Sequence, residues 1–180
     1  MPRYVAFFGS LNLGGTNRVV MADLRHACER EGLENVETVV ASGNLLFDFE
    51  DRPTDGLEEL FAHMMDERFD IASFVAVRSR DEVALAISGN PFGADGAENL
   101  VHTLFLSGHP DGAAFDKLVE DHATRGPERI ALGDRALFVD YVGGAGNSKL
   151  SNAFIERRLA CHSTARNLRS LQRILDKMGV

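Results

Sequence analysis

The stretch Phe7–Arg18 reads FFGSLNLGGTNR and joins an apolar segment to an amphipathic one. The apolar segment, Arg3–Phe8, is rich in aromatic and β-branched residues, which favours a largely buried first strand. Glycines let backbone amides approach a ligand closely, and the N-terminus of the helix that follows favours anions. The stretch therefore predicts a strand, a loop suited to binding and a helix, but it indicates no reaction.

The patterned segments of the first half follow the order of a split βαβ unit. After the loop, Met21, Leu24, Ala27 and Cys28 recur at helical spacing, and Gly32 is typical of a helix end. The order β-α-β-β-α-β predicts a four-stranded antiparallel sheet with two helices on one face. The remaining predicted elements are a strand at Val36–Ala41, a turn at Ser42–Asn44, a strand at Leu45–Phe49, a helix that Thr54 caps and that ends near Phe69, and a strand at Ile71–Val77.

A helix and a glycine-rich loop connect the two halves of the chain. Ser79 and Glu82 have the spacing of a capping box, which predicts the start of a third helix. The segment Gly89–Phe92 ends this helix, and the loop Gly93–Asn99 is the predicted junction. The predicted domains are a ferredoxin-like subdomain with a trailing helix at residues 1–92 and a second α+β subdomain with two C-terminal helices at residues 93–180.

The second half repeats the order of the first half without a clear final strand. The predicted fold class is thus α+β, with a ferredoxin-like βαββαβ subdomain, a related but incomplete βαββα subdomain and C-terminal helices. A degenerate duplication and a coincidence both explain this repetition. The predicted elements are a strand at Leu100–Leu106, a helix that Asp111 caps, a hairpin of Arg129–Leu132 with Ala136–Val142, a helix at Lys149–Leu159 and a last helix after Cys161–Thr164.

The composition is that of an ordinary soluble globular chain. It has 180 residues, of which 44% are hydrophobic and 26% charged, and no apolar run reaches about 18 residues, so no membrane span is predicted. The net charge of −8 argues against a duplex DNA partner, although residues 149–180 carry seven basic and two acidic side chains. Cys28 and Cys161 have no spacing typical of a disulfide or a metal site, which fits reduced thiols and a cytoplasmic location.

The candidate ligand-binding site consists of three polar blocks, each at or beside a predicted helix N-terminus. In chain order they are Asn12–Arg18, Ser148-Lys149 with Asn152, and Thr164–Asn167. Unpaired amides and the helix dipole attract anions there, and Lys149 and Arg166 add full charge. The blocks therefore predict a pocket for a phosphate or carboxylate group, provided that the fold brings them together. With the residues of the hairpin turn included, the candidate residues are Asn12, Gly14, Gly15, Asn17, Arg18, Ser42, Asn44, Ser148, Lys149, Asn152, Thr164, Arg166 and Asn167.

A second interpretation of the same blocks is purely structural. Ser148, Thr164 and the asparagines are residue types that cap helices and stabilise turns, with a contribution of about 1 kcal/mol each. Neither Gly143–Lys149 nor the first loop has the spacing of a nucleotide-binding loop, and no G-x-S-x-G nucleophile elbow occurs. The six histidines show no metal-binding spacing. No metal site is therefore predicted, and cofactors and catalytic residues stay unassigned.

Several sequence blocks occur in an order that is typical of one family. They are YVAFFGSLNLGGTNRVVMADL, VASGNLLF, NPF, HTLFL, NSKLSNAFIERRL and STARNLRSLQRIL, and they extend over nearly the whole chain. In these blocks the sequence resembles the domain of unknown function 1697 family. The resemblance implies a bacterial α+β protein of two subdomains with no established activity, and hence no catalytic residue to transfer. Gly9, Val20 and Leu168 stand where the family pattern has Arg, Pro and Trp, whereas every candidate residue except Arg18 matches it.

Three classes of function are compatible with these patterns. The preferred hypothesis is a protein that binds, or acts on, a small phosphorylated or carboxylated ligand. RNA or single-stranded nucleic-acid binding is the second, because split βαβ sheets present aromatic side chains on an open face, although Phe7, Phe8, Phe47 and Phe105 lie in apolar runs that predict burial. A protein-interaction module or homodimer is the third. The sequence leaves oligomeric state and enzymatic activity open.

Overall fold

The chain divides into two compact α+β units. The structure, a computed structural model, describes residues 1–9, 19–40 and 43–179. One unit comprises Met1–Val83 with Arg173–Val180, and the other comprises Ala84–Gln172, while the predicted domain limits at residues 92 and 93 stay a prediction. Within the described ranges, no helix combines the length and apolar character that crossing a membrane requires.

The first unit contains an antiparallel sheet in the strand order β2-β3-β1-β4. The strand β1 is therefore central, between β3 and β4, and the α+β class predicted for this half is confirmed. The helix α3 begins in this unit and crosses into the second. The elements are β1 Arg3–Phe8, α1 Met21–Arg30, β2 Glu34–Thr38, β3 Asn44–Asp48, α2 Thr54–Phe69, β4 Val75–Ser79 and α3 Arg80–Ser88.

The central strand β1 is buried on both of its faces. Tyr4 and Phe8 belong to an apolar core that also contains Phe61 of α2. Phe7 points to the opposite face by strand alternation, and its exposed fraction is 0%. A strand that is buried on both faces is expected to be apolar along its length, which is why the sequence pattern predicted the limits of β1 that the structure confirms.

The second unit repeats the strand order of the first as β6-β7-β5-β8. The strand β5 occupies the central position that β1 holds in the first unit. One helix precedes the hairpin of β6 and β7 and one follows it, so the order β-α-β-β-α-β is complete. The elements are β5 Val101–Leu106, α4 Gly112–His122, β6 Arg129–Gly133, β7 Ala136–Asp140, α5 Asn152–Leu159, β8 Ser163–Asn167 and α6 Leu168–Met178, the last of which crosses into the first unit.

The expectation of an incomplete second subdomain is wrong, because β8 supplies the fourth strand. Its residues pair antiparallel with β5, and Ala165 lies opposite Leu104. The sequence of β8 is STARN, in which Ala165 is the single apolar residue. An edge strand of this composition shows no hydrophobic alternation, so its polar residues favoured a turn and a helix start instead.

The repetition includes the register of the last strand in each unit. Arg78 of β4 lies opposite Val5, the third residue of β1. Arg166 of β8 lies opposite Thr103, the third residue of β5. A matching strand order combined with a matching register supports the duplication interpretation over coincidence.

In each unit the residue after this arginine caps the helix that follows the strand. Ser79 and Glu82 form the predicted capping box, since the Ser79 N–H donates to Glu82 Oε1 at 2.9 Å and the Glu82 N–H donates to Ser79 Oγ at 3.1 Å. In the second unit, Asn167 Oδ1 accepts a hydrogen bond from the Ser170 N–H at 2.8 Å. The prediction of a helix start at Ser79 is confirmed.

Some predicted boundaries differ from the structure. The strand β4 begins at Val75 instead of Ile71. Thr54 does not cap α2, because Pro53 precedes the first helical residue and Thr54 Oγ1 instead donates to Glu82 Oε2 at 3.2 Å. The predicted second strand at Val36–Ala41 corresponds to β2 at Glu34–Thr38, a segment in which Val36 alone is buried. In β2 the charged residues Glu34 and Glu37 obscure the apolar pattern.

A buried ion pair joins α2 to β4. Arg78 Nη1 lies 2.7 Å from Glu58 Oε2, and the two side chains are 3% and 9% exposed. The same carboxylate oxygen accepts a hydrogen bond from the Val77 N–H at 2.9 Å. Removal of one partner from such a pair leaves an uncompensated charge in the interior.

We expect Glu58→Ala to lower the free energy of unfolding by about 3–5 kcal/mol, because Arg78 and the Val77 N–H would lose their buried acceptor. Glu59→Ala is the matched control, since Glu59 lies on the same helix and is exposed, and a change within about 0.5 kcal/mol is expected there. Urea denaturation of both variants measures the difference. Equal effects of the two substitutions would contradict a stabilising role of the pair.

Gly96 lies where its backbone leaves no room for a side chain. A Cβ at this position would overlap Val101 Cγ2 and approach the Phe92 carbonyl oxygen to 2.8 Å. We therefore expect Gly96→Ala to destabilise the protein by about 1–3 kcal/mol. Gly112→Ala, at a position with no atom within 4 Å of the added carbon, serves as the control and should be neutral or stabilising. Thermal unfolding of both variants tests the prediction.

Candidate ligand-binding site in the second unit

The loop between β7 and α5 carries the candidate site. After β7 the chain has a left-handed backbone at Val142 (φ 52°) and Gly144 (φ 103°) and then forms a 3-10 turn at Ala145–Asn147. Glycine adopts such a φ without steric cost, so the conformation accounts for Gly144. Gly143 and Gly146 have no left-handed φ, and a Cβ added to either would have no chain atom within 4 Å. Neither conformation nor packing within the chain requires glycine at these two positions.

The helix α5 begins three residues later than the sequence predicted. Ser151 Oγ accepts a hydrogen bond from the Phe154 N–H at 3.1 Å, so Ser151 is the N-cap. The predicted start at Lys149 is wrong for this reason. Ser148 and Lys149 lie in the loop before the helix, and Asn152 is its exposed first residue.

A hydrogen bond to a buried carboxylate anchors this loop. Ser148 Oγ donates to Glu128 Oε1 at 2.5 Å and accepts from the Leu150 N–H at 3.0 Å. The Glu128 side chain is 4% exposed, and its Oε2 has no hydrogen-bond partner among the described residues. A buried acceptor without a partner costs about 1–3 kcal/mol. The described residues therefore leave one carboxylate oxygen of Glu128 without a hydrogen bond.

His122, near the end of α4, lies next to the same carboxylate. Its Nε2 is 3.2 Å from the Glu128 carbonyl oxygen and 4.0 Å from Glu128 Oε2. The imidazole is 5% exposed, and its Nδ1 lacks a partner in the part of the chain that the structure describes. With the proton on Nε2, the ring donates to the carbonyl oxygen and presents Nδ1 as a second unsatisfied acceptor.

Tyr141, the residue that follows β7, is buried close to Glu128. Its hydroxyl donates to the Leu150 carbonyl oxygen at 3.5 Å, and the His102 ring meets it edge-on at 4.9 Å. Burial, together with the charge of Glu128, raises the pKa of Tyr141 to about 12. Burial lowers the pKa of His102, and a hydrogen bond to the Leu100 carbonyl oxygen partly offsets this lowering. The phenol is therefore neutral at physiological pH.

Two arginines pack on the Phe154 ring beside the loop, and Lys149 lies in the loop itself. The Arg125 guanidinium stands 4.2 Å from the centre of the Phe154 ring, and its Nη2 donates to the Lys149 carbonyl oxygen at 3.3 Å. Arg158 stands 3.6 Å from the same ring and is neutralised by Asp121 at 2.9 Å. Arg125 and Lys149 form no ion pair with any described residue, and both are exposed. We refer to Arg125 and Lys149 as the cation pair.

An open cleft of about 120 Å³ extends along the loop from the Glu128 side chain. Ser148, which lines it, directly precedes Lys149 of the cation pair. The cleft thus combines a buried acid with glycine backbone, and one of its lining residues is the neighbour of a cation in the chain. Its lining residues are Pro127, Glu128, Tyr141, Gly143, Gly144, Asn147 and Ser148.

Part of the predicted site falls outside the described residues. This holds for the first polar block and for one turn residue. Asn44 is described and is 3% exposed, and its Nδ2 donates to the Val40 carbonyl oxygen at 2.8 Å and to the Val39 carbonyl oxygen at 3.3 Å. Asn44 therefore stabilises the hairpin between β2 and β3. The candidates outside the described ranges are Asn12, Gly14, Gly15, Asn17, Arg18 and Ser42.

Thr164 and Arg166 lie on the strand β8, which directly precedes α6, in a segment for which the sequence predicted no strand. Ala165 packs into the core that contains Phe154 of α5. Because side chains alternate along a strand, Thr164 and Arg166 point to the opposite face of the sheet from α5. The sequence prediction pooled them with Ser148, and the structure separates them.

The third polar block has local structural roles in the second unit. Arg166 Nη1 donates to Thr164 Oγ1 at 3.0 Å and to the Ala165 carbonyl oxygen at 2.8 Å. Burial lowers the pKa of Arg166 to about 10, so the side chain remains charged at neutral pH. Asn167 caps α6 through the Ser170 N–H. For Asn167, the structural interpretation as a helix cap is confirmed.

Arg125 and Glu128 were not among the candidates from the sequence. Arg125 precedes Gly126 and Pro127, a dipeptide that marks a turn and does not indicate a binding residue. Glu128 reaches Ser148 across a separation of twenty residues. Only the tertiary structure shows that these two side chains adjoin the predicted loop.

The aromatic residues of the sheets are not exposed to a nucleic acid. Phe7, Phe47, Phe105 and Phe8 are 0%, 0%, 1% and 4% exposed. Base stacking on an open sheet face requires exposed aromatic rings. Within residues 1–9, 19–40 and 43–179, no three acidic, histidine or cysteine side chains are grouped for metal binding.

A family model described as "Protein of unknown function (DUF1697)" matches residues 1–138. The chain belongs to this family. The resemblance inferred from the sequence blocks is thereby confirmed. The DUF1697 match ends before Gly143–Ser148, so it assigns no role to the residues of the cleft loop.

The structure is similar to that of a conserved bacterial protein, SP0830, from Streptococcus pneumoniae. The two chains are 21% identical, the alignment covers 98% of each, and the TM-score is 0.70. At this identity the likeness supports the fold alone. A comparison with curated proteins finds no match.

We expect the ionisation of Tyr141 to make the protein less stable at high pH. The native state retains the phenolic proton up to pH about 12, whereas an unfolded chain releases it near pH 10. The unfolded state therefore binds fewer protons in this interval, so the free energy of unfolding falls as pH rises through it. Urea denaturation between pH 9 and 11, compared with Tyr141→Phe, measures this dependence. An identical pH dependence in the variant would contradict the assignment.

Proposed function

We propose that the second unit binds a small ligand through a phosphate or carboxylate group, which the cation pair holds. The observation that carries the proposal is the position of Arg125. Its guanidinium is fixed by the Phe154 ring at 4.2 Å and by the bond to the Lys149 carbonyl oxygen at 3.3 Å. The other guanidinium N–H groups of Arg125 make no hydrogen bond to a described residue. They are thus available to an anion in the bidentate geometry that guanidinium groups favour.

The charges around the cation pair support the same proposal. Arg158, the neighbouring cation on Phe154, has its carboxylate partner in Asp121 at 2.9 Å. The cation pair has no such partner among the described residues, although the chain as a whole carries a net charge of −8. A charge-assisted hydrogen bond to an anion contributes about 1.5–3 kcal/mol. Two cations that lack a carboxylate partner among the described residues, and whose residues meet at the Lys149 carbonyl oxygen, therefore favour anion binding here over the acidic remainder of the surface.

Of the residues predicted from the sequence, the proposal includes Lys149 as a ligand-binding residue. Ser148 lies next to it in the loop, and Asn152 lies in the first turn of α5. The candidates at Asn12–Arg18 remain a separate prediction, and so do the cytoplasmic location and a homodimer. Thr164 and Arg166 are not included, because they lie on the opposite face of the sheet. The proposal concerns binding, since DUF1697 carries no established activity.

Lys149→Ala and Arg125→Ala should each weaken the binding of inorganic phosphate about tenfold, because each removes one charged contact worth at least about 1.4 kcal/mol. Isothermal titration calorimetry at low ionic strength measures the dissociation constants. A prior thermal-shift screen of phosphorylated and carboxylated metabolites identifies the strongest anion, since a ligand at 100 times its Kd adds about 2.7 kcal/mol to stability.

Lys177→Ala is the control for loss of a surface charge. Lys177 is exposed and lies in the segment Arg173–Val180 of the other unit, so its removal should leave phosphate affinity unchanged. Binding should also weaken as salt is added, because exposed charges are screened within about 10 Å at 0.1 M ionic strength. Phosphate affinity that is the same in the wild type, Lys149→Ala and Arg125→Ala would overturn the proposed function.

A further inference from the structure

We infer that the ligand is a phosphorylated polyol or sugar whose hydroxyl groups occupy the cleft beside Glu128. The inference rests on the proposed function, because the cation pair is taken to hold the phosphate. The inference specifies the part of the ligand that does not carry the phosphate, and it assigns a role to Glu128, Ser148 and the glycines of the loop.

The first observation is the carboxylate in the wall of the cleft. Glu128 and Ser148 both line the cleft, and Ser148 Oγ donates to Glu128 Oε1 at 2.5 Å. Oε2 is enclosed by the described residues, so a ligand in the cleft meets the carboxylate through its negative charge and through Ser148. Negative charge in the wall favours groups that donate hydrogen bonds, and hydroxyl groups are such donors.

The second observation is the room above the loop backbone. Gly143 lines the cleft, and a Cβ added to it would meet no chain atom within 4 Å. The same holds for Gly146. Neither residue has a left-handed φ, so neither backbone conformation nor packing against the described residues requires glycine at these positions. Close approach of a ligand to the backbone would account for glycine at both of them.

The lining of the cleft favours a sugar over a second anionic group. Asn147 and Ser148 offer polar groups, and Pro127 and Tyr141 offer apolar surface, a combination that suits the alternating C–H and O–H groups of a polyol. The charge of Glu128 repels a phosphate or carboxylate inside the cleft. The anionic end of the ligand therefore lies at the cation pair, and the hydroxylated end lies in the cleft.

Calorimetric titrations with inorganic phosphate, ribose 5-phosphate and O-phosphoethanolamine test this inference. We expect the wild type to bind ribose 5-phosphate at least tenfold more tightly than inorganic phosphate. Gly143→Ala should remove most of this advantage, because the methyl group fills space in the cleft, while inorganic phosphate binds as in the wild type. Gly56→Ala, an equally open glycine in α2 of the other unit, is the matched control and should keep the full advantage.

The outcomes distinguish a failure of the proposed function from a failure of the inference about the ligand. Loss of phosphate binding in Lys149→Ala, combined with equal affinities of the wild type for phosphate and ribose 5-phosphate, would retain the proposed function and overturn the inference. An advantage of ribose 5-phosphate that survives Gly143→Ala would also overturn it. Tighter binding of O-phosphoethanolamine than of ribose 5-phosphate would overturn the assignment of hydroxyl groups in favour of an ammonium group. Thermal unfolding of Gly143→Ala confirms that the variant is folded.

Discussion

Burial of the central strands on both faces is the constraint on which the rest of each unit depends. Residues of both alternating sets, such as Phe7 and Tyr4 of β1, are 0% and 2% exposed. A sheet with two covered faces presents neither its strand backbone nor its aromatic rings to a ligand. Groups that reach a ligand must therefore come from loops at strand ends and helix starts. The loop between β7 and α5, where Glu128 and the cation pair converge, is such a place.

The fold could be predicted from the sequence wherever burial or a local hydrogen bond dictates the residue type. The limits of β1 follow from an apolar run, and the caps at Ser79 and Asp111 follow from residues within three positions, as the bond from the Ala114 N–H to Asp111 Oδ1 at 2.8 Å shows. The strand β8 could not be predicted in this way. Its place is set by its register with β5, since its own composition resembles a polar turn.

The candidate site could be predicted only in part, for a related reason. Glycines and Ser148-Lys149 mark the loop within a few residues of sequence. The carboxylate that holds the loop comes from Glu128, and Arg125 is positioned by a ring in α5, so both are tertiary features. Arg166 was included because Thr164–Asn167 was placed at or beside the start of a helix, whereas Arg166 lies on the strand β8. Since side chains alternate along a strand, its side chain lies on the opposite face of the sheet from Ala165.

The separation of charges at the site determines how a ligand is oriented there. A phosphate placed about 4 Å from Glu128 would be repelled by about 4 kcal/mol at an effective dielectric constant of about 20. That repulsion is as large as the gain from one or two charge-assisted hydrogen bonds. In the proposed site, the exposed cations Arg125 and Lys149 do not line the cleft and hold such a group away from Glu128. The proposed arrangement of a buried acid and exposed cations therefore favours a ligand with two chemically different ends, of which the uncharged end enters the cleft.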